Sequence, residues 1–479
     1  MQMNAAAPSS AAPAPVQAPA PSPLLTGPLN RVLLKLAAPA MIAMVGTALA
    51  AVAETAYIGR LGVAPLAGMA LVFPIMMLQQ MLSGGAMGSA VSGAVSRALG
   101  AGQQARAEAL AVHALGIALV GGLITSALML TLGRGLFWLL GGRDEPLAQA
   151  VAYAQVAFVG SVGVWLLNTL AALLRATGNM VVPSIALLAV AIGQVVLAGV
   201  LGLGAGPVPG MGMAGVAAGQ VIAFAAGALL LGAYFGAGRS RLKLRLAQQR
   251  LQPELLRDLL RQGALACVSP LQTVATILIL TALVSRFGPQ ALAGYGIGSR
   301  LEFLLIPLAF SFGVASVPVI GMSVGAGRVA RARRAAWTAA TMAGLLLGLV
   351  GAVLAIWPHT WTHHFTSDPA VLAAADTYFH WAGPFYGVFG FGLSLYFSAI
   401  GAGKVGGPVL AGTLRLVMVA VGGSVLVALA APVWAIFALI AAAMAAYGLA
   451  CALAVWVTPW GPAPAAAATP AGAGAPKRA

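Results

Sequence analysis

IGRLGVAPLAGMALVFPIMMLQQMLSGGAMGSAVSGAVSRALGAGQQARA, residues 58–107, is answered by VSRFGPQALAGYGIGSRLEFLLIPLAFSFGVASVPVIGMSVGAGRVARA, residues 284–332. The triplet Gly100-Ala101-Gly102 returns 225 positions later as Gly325-Ala326-Gly327. Arg60, Gly62, Ala67 and Gly68 return 226 positions later as Arg286, Gly288, Ala293 and Gly294. Beyond these stretches the spacing is again 225: Ala176-Thr177-Gly178 pairs with Gly401-Ala402-Gly403, and Pro183 with Pro408. A chain of 479 residues with that period is two copies of one unit. In a membrane, such a duplication points to a transporter with its pathway between the halves.

Composition places the chain in a membrane. Hydrophobic residues make up 61% of it and charged residues 7%, against about 25% charged in a soluble domain. In lipid every backbone polar group must be paired internally, so spans are helices or a closed barrel. The long unbroken apolar runs suit helices of roughly 20 residues; barrel strands would alternate and be about half as long. The fold expected is therefore an all-α membrane protein, with twelve transmembrane helices in two six-helix lobes related by a pseudo-two-fold axis along the membrane normal. The spans read as roughly 32–59, 66–96, 107–131, 147–174, 180–204, 212–236, 256–285, 291–323, 332–357, 370–400, 407–431 and 434–458.

The organisation expected around the spans is simple. Residues 1–28 form an Ala/Pro tail without the basic region and apolar core of a signal peptide, and a disordered tail is expected there and over 461–479. An N-terminal lobe covers 29–237 and a C-terminal lobe 263–460. A basic linker, 238–262, joins them, and its stretch LQPELLRDLL (251–260) has the pattern of an amphipathic helix on the membrane surface. The net charge of +16 comes from scarce acids and loop Arg and Lys, so it reports topology and no nucleic-acid partner. Arg31, Lys35, Arg97, Arg106, Arg175, the linker cations, Arg328, Arg331, Arg333, Arg334 and Lys404 fall on one side; Arg60, Arg134, Arg143 and Arg286 fall on the other. The richer side is expected to be cytoplasmic, with the protein in the inner membrane and both termini on the cytoplasmic side. The two cysteines, Cys267 and Cys451, lie in apolar runs without metal-ligand spacing. No nucleotide-binding loop, catalytic triad, metal site or resident cofactor is legible, so a non-enzyme is expected.

Intramembrane polar residues carry the functional reading. An ionisable side chain inside a span costs about 2.5–3.5 kcal/mol on insertion scales and is functional by default. Of nine acids, only Glu54 and Glu302 fall within spans. Glu54 lies about five residues, roughly 8 Å, below the outer interface, and is the candidate for binding a coupling proton or cation. A carboxylate removed from water gains by taking up a proton. Asn168 and Gln194, in the same half, are its candidate partners. Glu302 follows Arg300 by two residues, about 200° around a helix, so each needs a different partner; the pair is a candidate second-lobe polar network or substrate contact. Met76 or Met77 stands where Glu302 would repeat, so the halves differ chemically. Gln79, Gln80, Gln155, Gln220, Gln272, His113, His380 and Arg415 read as interhelical partners, with His113 a satisfied core histidine. The aromatic run Tyr378, Phe379, Trp381, Phe385, Tyr386 and Phe389 is expected mainly to pack.

AETAYIGRLG with the following LAGMAL, a GAG in each half with Arg and Ala after it, and the paired loops RATGNMVVP and GAGKVGGP resemble the multidrug and toxic compound extrusion (MATE) family over residues 30–460. Arg300-Leu301-Glu302 after GYGIGS, with Pro307, resembles its bacterial DNA-damage-inducible-type branch. The resemblance implies two six-helix lobes forming a V and a drug/cation antiporter that acts as a monomer on small molecules. It also implies a first-span carboxylate, at Glu54, and a fifth-span Asn and Asp. Here Gln194 and Ala198 stand at the latter two positions. A lone carboxylate favours H+ over Na+ as coupling ion. The function expected is secondary efflux of drugs or toxic organic compounds, cationic or amphiphilic, against inward H+ or Na+; the alternative is a flippase for lipid-linked precursors.

Overall fold

Eleven helices among the described residues are long and apolar enough to cross a membrane, and a bent pair supplies a twelfth span. The structure, a computed structural model, describes residues 23–205, 207–244 and 252–461. In chain order the spans are α1 (Leu29–Leu61), α2 (Val63–Gly100), α3 (Gln104–Leu139), the bent α4 (Asp144–Val159 and Ser161–Ala176), α5 (Val181–Leu203) and α6 (Gly212–Gly236). Then follow α7 (Pro253–Phe287), α8 (Pro289–Gly325), α9 (Val329–Ile356), α10 (Pro369–Ala402), α11 (Gly406–Ala428) and α12 (Val433–Val457). Every expected span is present. The third runs further than expected and takes in Arg134, which lies in its last turns rather than in a loop.

The helices form because backbone groups in hydrocarbon have no other partners, and lipid-facing Leu and Ile such as Leu49, Leu229, Leu349 and Leu449 remain exposed. The sequence repeat has direct backbone causes. Gly62 and Gly288, which separate α1 from α2 and α7 from α8, have φ of 128° and 98°. Gly102 and Gly327, the last residues of the GAG triplets, have φ of 74° and 72°. These are left-handed conformations that glycine adopts without a steric cost. Packing repeats as well. A Cβ on Gly68 would lie 2.9 Å from the Ala150 nitrogen of α4, and one on Gly294 2.8 Å from the Ala375 nitrogen of α10. Each lobe thus brings its second and fourth helices into backbone contact through the same glycine.

The lobes meet at the basic end, where both GAG triplets lie. A Cβ on Gly100 would sit 2.2 Å from the Met322 carbonyl oxygen, and one on Gly325 2.0 Å from that of Arg97. Arg97 donates to the carbonyls of Ile400 (3.3 Å) and Gly401 (2.8 Å) and to Gln262 Oε1 (2.6 Å). Away from this end, Met77, Met81 and Gly85 of α2 and Ile306 and Phe310 of α8 line a cleft. The stretch Met81–Met87 of α2, on the cleft, is wound as π-helix, a form that recurs at functional positions.

Three expectations need adjustment. Within the stretch expected as tail, Pro23–Thr26 is a helix with Leu24 buried, and Arg331 donates to the carbonyls of Leu24 and Gly27; residues 1–22 lie outside the described residues. In the linker, Pro253 onward is not a separate surface helix but the first turns of α7, with Leu255 and Leu259 buried in the N-lobe core; residues 245–251 lie outside the described residues. The fourth span is two helices bent by 49° at Gly160, where a Cβ would lie 2.6 Å from Val221 Cγ2.

Candidate functional site

Glu54 points into the N-lobe and is 4% exposed. Tyr153 of α4 donates its hydroxyl to Glu54 Oε1 at 2.5 Å, and Gln194 of α5 donates its amide to Oε2 at 2.6 Å. The Tyr153 oxygen also lies 2.9 Å from Gln220 Oε1 of α6. One carboxyl therefore ties four helices of a single lobe. Each charge-assisted bond stabilises a buried carboxylate by about 1.5–3 kcal/mol. The single Tyr153 proton faces two acceptors, and this allows two complete arrangements. With Glu54 ionised, Tyr153 donates to it. With Glu54 protonated, Glu54 donates to Tyr153 and Tyr153 donates to Gln220. A proton can enter or leave the carboxyl without leaving it unpaired.

Ala198, one turn beyond Gln194, is fully buried. The backbone of α6 fills the space beside it: a Cβ on Gly219 would lie 2.4 Å from the Ala198 nitrogen. No second carboxylate accompanies Glu54 among the described residues of the N-lobe interior. Asn168, expected beside Glu54, is elsewhere. It donates to Gln80 Oε1 (2.8 Å), just before the π-wound part of α2, and to Ser83 Oγ (2.9 Å) within it.

In the second lobe the structure separates Arg300 from Glu302. Arg300 is exposed, its guanidinium 5.5 Å from the Phe365 ring centre. Glu302 turns inward and accepts from the hydroxyl of Tyr378 on α10. Gly298, one turn earlier, makes this possible, because a Cβ there would lie 2.2 Å from the Tyr378 ring. Tyr378 follows Tyr153 by 225 residues, so the repeated tyrosine holds a carboxyl in both lobes. Neither Tyr153 nor Gln220 was singled out as a site residue from the sequence; the 225-residue pairing with Tyr378 was the available signal. His113 is satisfied, as expected: Nδ1 bonds the Ala109 carbonyl at 2.7 Å and Nε2 accepts the Gln252 amide at 2.8 Å.

Between the lobes at mid-membrane lies a cleft lined mainly by α7, α8, α10 and α11, with Met77, Met81 and Gly85 from α2. Its unfilled space, counting the mouth, is about 730 Å³. Phe310, Phe389, Phe397, Tyr396 and Tyr447 form much of the wall, and Arg415 is the one charged lining residue. Glu54 is not among the lining residues.

Comparison with known proteins agrees with this architecture. The MatE family signature matches residues 39–200 and 266–425, one match in each lobe. The chain belongs to the MatE family. This MatE protein is a membrane transporter and not an enzyme. It is 33% identical over 362 residues to a probable multidrug resistance protein NorM of Deinococcus radiodurans, covering 70% of this chain and 71% of that one. It is 26% identical over 354 residues to an FAD transporter of Shewanella oneidensis, covering 73% and 77%. In structure it is similar to a MOP superfamily transporter from Pyrococcus furiosus, with a TM-score of 0.83, 22% identity, and 91% and 96% of the two chains covered. It matches an outward-facing multidrug resistance MATE transporter at a TM-score of 0.82 and 21% identity, covering 90% and 96%. The two-lobe fold is thereby shared, and secondary drug efflux follows from the family.

Proposed function

We propose that this transporter exports amphiphilic organic compounds from the cytoplasm in exchange for protons, and that Glu54 is the proton-binding group. The observation that carries the reading is the Glu54 cluster. Both carboxylate oxygens accept from donors, Tyr153 and Gln194. A sodium ion needs several oxygen ligands turned towards it, and here the hydrogens point inward. A proton needs one oxygen and an alternative bonding pattern, and Tyr153 with Gln220 supplies it. The basic end, where the lobes are joined, faces the cytoplasm of the inner membrane by the distribution of Arg and Lys, with both described ends on that side. Proton binding drives the cycle only if the two states differ in proton affinity, and the four helices tied to Glu54 provide a means. The protein acts as a monomer, each chain holding both lobes and the cleft.

The test is transport by purified protein in liposomes. With a pH gradient and no sodium, export proceeds in the wild type and is lost in Glu54→Gln. Strict dependence on a sodium gradient at fixed pH gradient would overturn the assignment of the ion. The second reading is a lipid-linked precursor flippase, favoured by Arg415 in the cleft. It ranks behind efflux because one cation is a small electropositive surface for a polyphosphate headgroup. That a relative is named as an FAD transporter supports including large aromatic compounds among the substrates proposed here.

A further inference from the structure

We propose that the cleft binds organic anions with a flat aromatic body, and that Arg415 is the residue that takes the anionic group. The inference rests on the export reading above and fixes the charge of the substrate, replacing the cationic expectation. Arg415 sits within α11, nine residues from its start, and is 9% exposed. It makes no ion pair and no hydrogen bond among the described residues. Its neighbour is the ring of Phe389, 4.9 Å from the guanidinium carbon. A guanidinium stays charged at any physiological pH. A charge within a membrane span is normally paired with another side chain or turned to a water-filled cavity. Here the cavity is present, and among the described residues no side chain forms a direct ion pair with the guanidinium.

Glu302 acts on Arg415 through its charge but forms no direct ion pair with it. It accepts from Tyr378 and borders a second small hollow. Ile306 and Phe389 line both hollows. The planar fork of an arginine matches a phosphate or carboxylate with two parallel bonds. The rest of the wall suits an aromatic ring. Phe310 and Phe397 meet edge to face at 4.5 Å, and Phe389 and Tyr447 lie 5.5 Å apart, geometries that extend to a third ring. No acid lines the cleft, so its one fixed charge is the guanidinium; ring faces also attract cations, which is why the test sets the two charges against each other on one ring.

Calorimetry on the full-length protein in uncharged maltoside micelles tests this at equilibrium, without any gradient. The probes are 2-naphthyl phosphate and 2-naphthyltrimethylammonium, one ring with opposite charges. The wild type is expected to bind the phosphate about tenfold more tightly or better, and Arg415→Gln to lose about tenfold of that affinity, with Arg415→Lys between the two. Arg300→Gln, at an exposed arginine, is expected to bind as the wild type does. Equal or tighter binding of the ammonium probe by the wild type overturns the proposal, as does wild-type phosphate affinity in Arg415→Gln. Should Arg415→Gln not fold, the two-probe comparison in the wild type decides. Dihexanoyl phosphatidate distinguishes a lipid phosphate from a soluble one: if it binds as tightly as naphthyl phosphate, the aromatic part of the proposal fails. The coupling assignment is read separately, in the liposome assay above, so a failed coupling assignment and a failed substrate assignment give different results.

Discussion

The two lobes hold a tyrosine at the same repeat position and give it a carboxyl from different helices. Tyr153 meets Glu54 from α1; Tyr378 meets Glu302 from α8. Ile279 stands 225 residues after Glu54, and Met77 the same distance before Glu302. Duplication therefore preserved the hydroxyl and its place in the bundle, while the acid was settled separately in each half. The surroundings diverged too. Glu54 has a second donor, Gln194, and Gln220 beside its tyrosine. Glu302 has Tyr378 as its one donor, the charge of Arg415, and a hollow lined with Leu305, Ile306, Leu347, Tyr386, Phe389 and Met444. Two copies of one scaffold thus set one carboxyl among three polar side chains, and on the proposed reading it is this one that exchanges the proton.

The strongest challenge to that contrast is a pair of amides. Glu54→Gln is expected to slow pH-driven export by about tenfold or more, since the two states then no longer differ in proton affinity. Glu302→Gln is expected to leave the same assay within about twofold. The reverse result would exchange the roles of the lobes. Next come the positions where the copies do act alike. Gly325→Leu forces a side chain against the Arg97 carbonyl and is expected to destabilise the joined basic end by about 1–3 kcal/mol. Spin labels at residues 101 and 326 would report this as a longer distance, and an unchanged distance would show that the contact does not set the state. Tyr378→Phe leaves Glu302 without its donor and is expected to cost about 1–3 kcal/mol. Tyr153→Phe, with Gln194 still bonded to Glu54, is expected to cost less, about 1 kcal/mol. Thermal midpoints in detergent measure both, and equal losses would erase the asymmetry. The smallest effect belongs to a one-sided contact. Arg97 has Met322 at its repeat position, so Arg97→Gln is expected to loosen the basic end by about 1 kcal/mol, read by the same labels.

Much of this was legible beforehand because a bilayer leaves few choices. Apolar runs of the right length become helices, and the repeated glycines mark where backbones turn or touch. Glu54 and Gln194 were recognisable from scarcity and position. Asn168 was grouped with them because sequence places a residue on a helix without saying which neighbour it faces. Tyr153 escaped attention because a neutral residue in an apolar run looks like packing; its meaning depends on α4 lying beside α1. The bend at Gly160 and the π turn at Met81–Met87 depend on contacts with α6 and the opposite lobe, which no local pattern encodes. Arg415 was visible as a charge, but its lack of a partner is a property of the assembled cleft. Part of the expected aromatic run, Tyr378 and Phe379, does pack, while Phe389 belongs to the cleft wall.

The first turns of α7 belong to one lobe's core and its remainder to the other's. Leu255 and Leu259 are embedded beside Leu110, and the helix runs unbroken to Phe287. A rod anchored in this way is a crank and not a tether. Any rocking of the lobes must either swing the whole rod or flex it, and at Gly263 the rod passes against the Met87 side chain of α2.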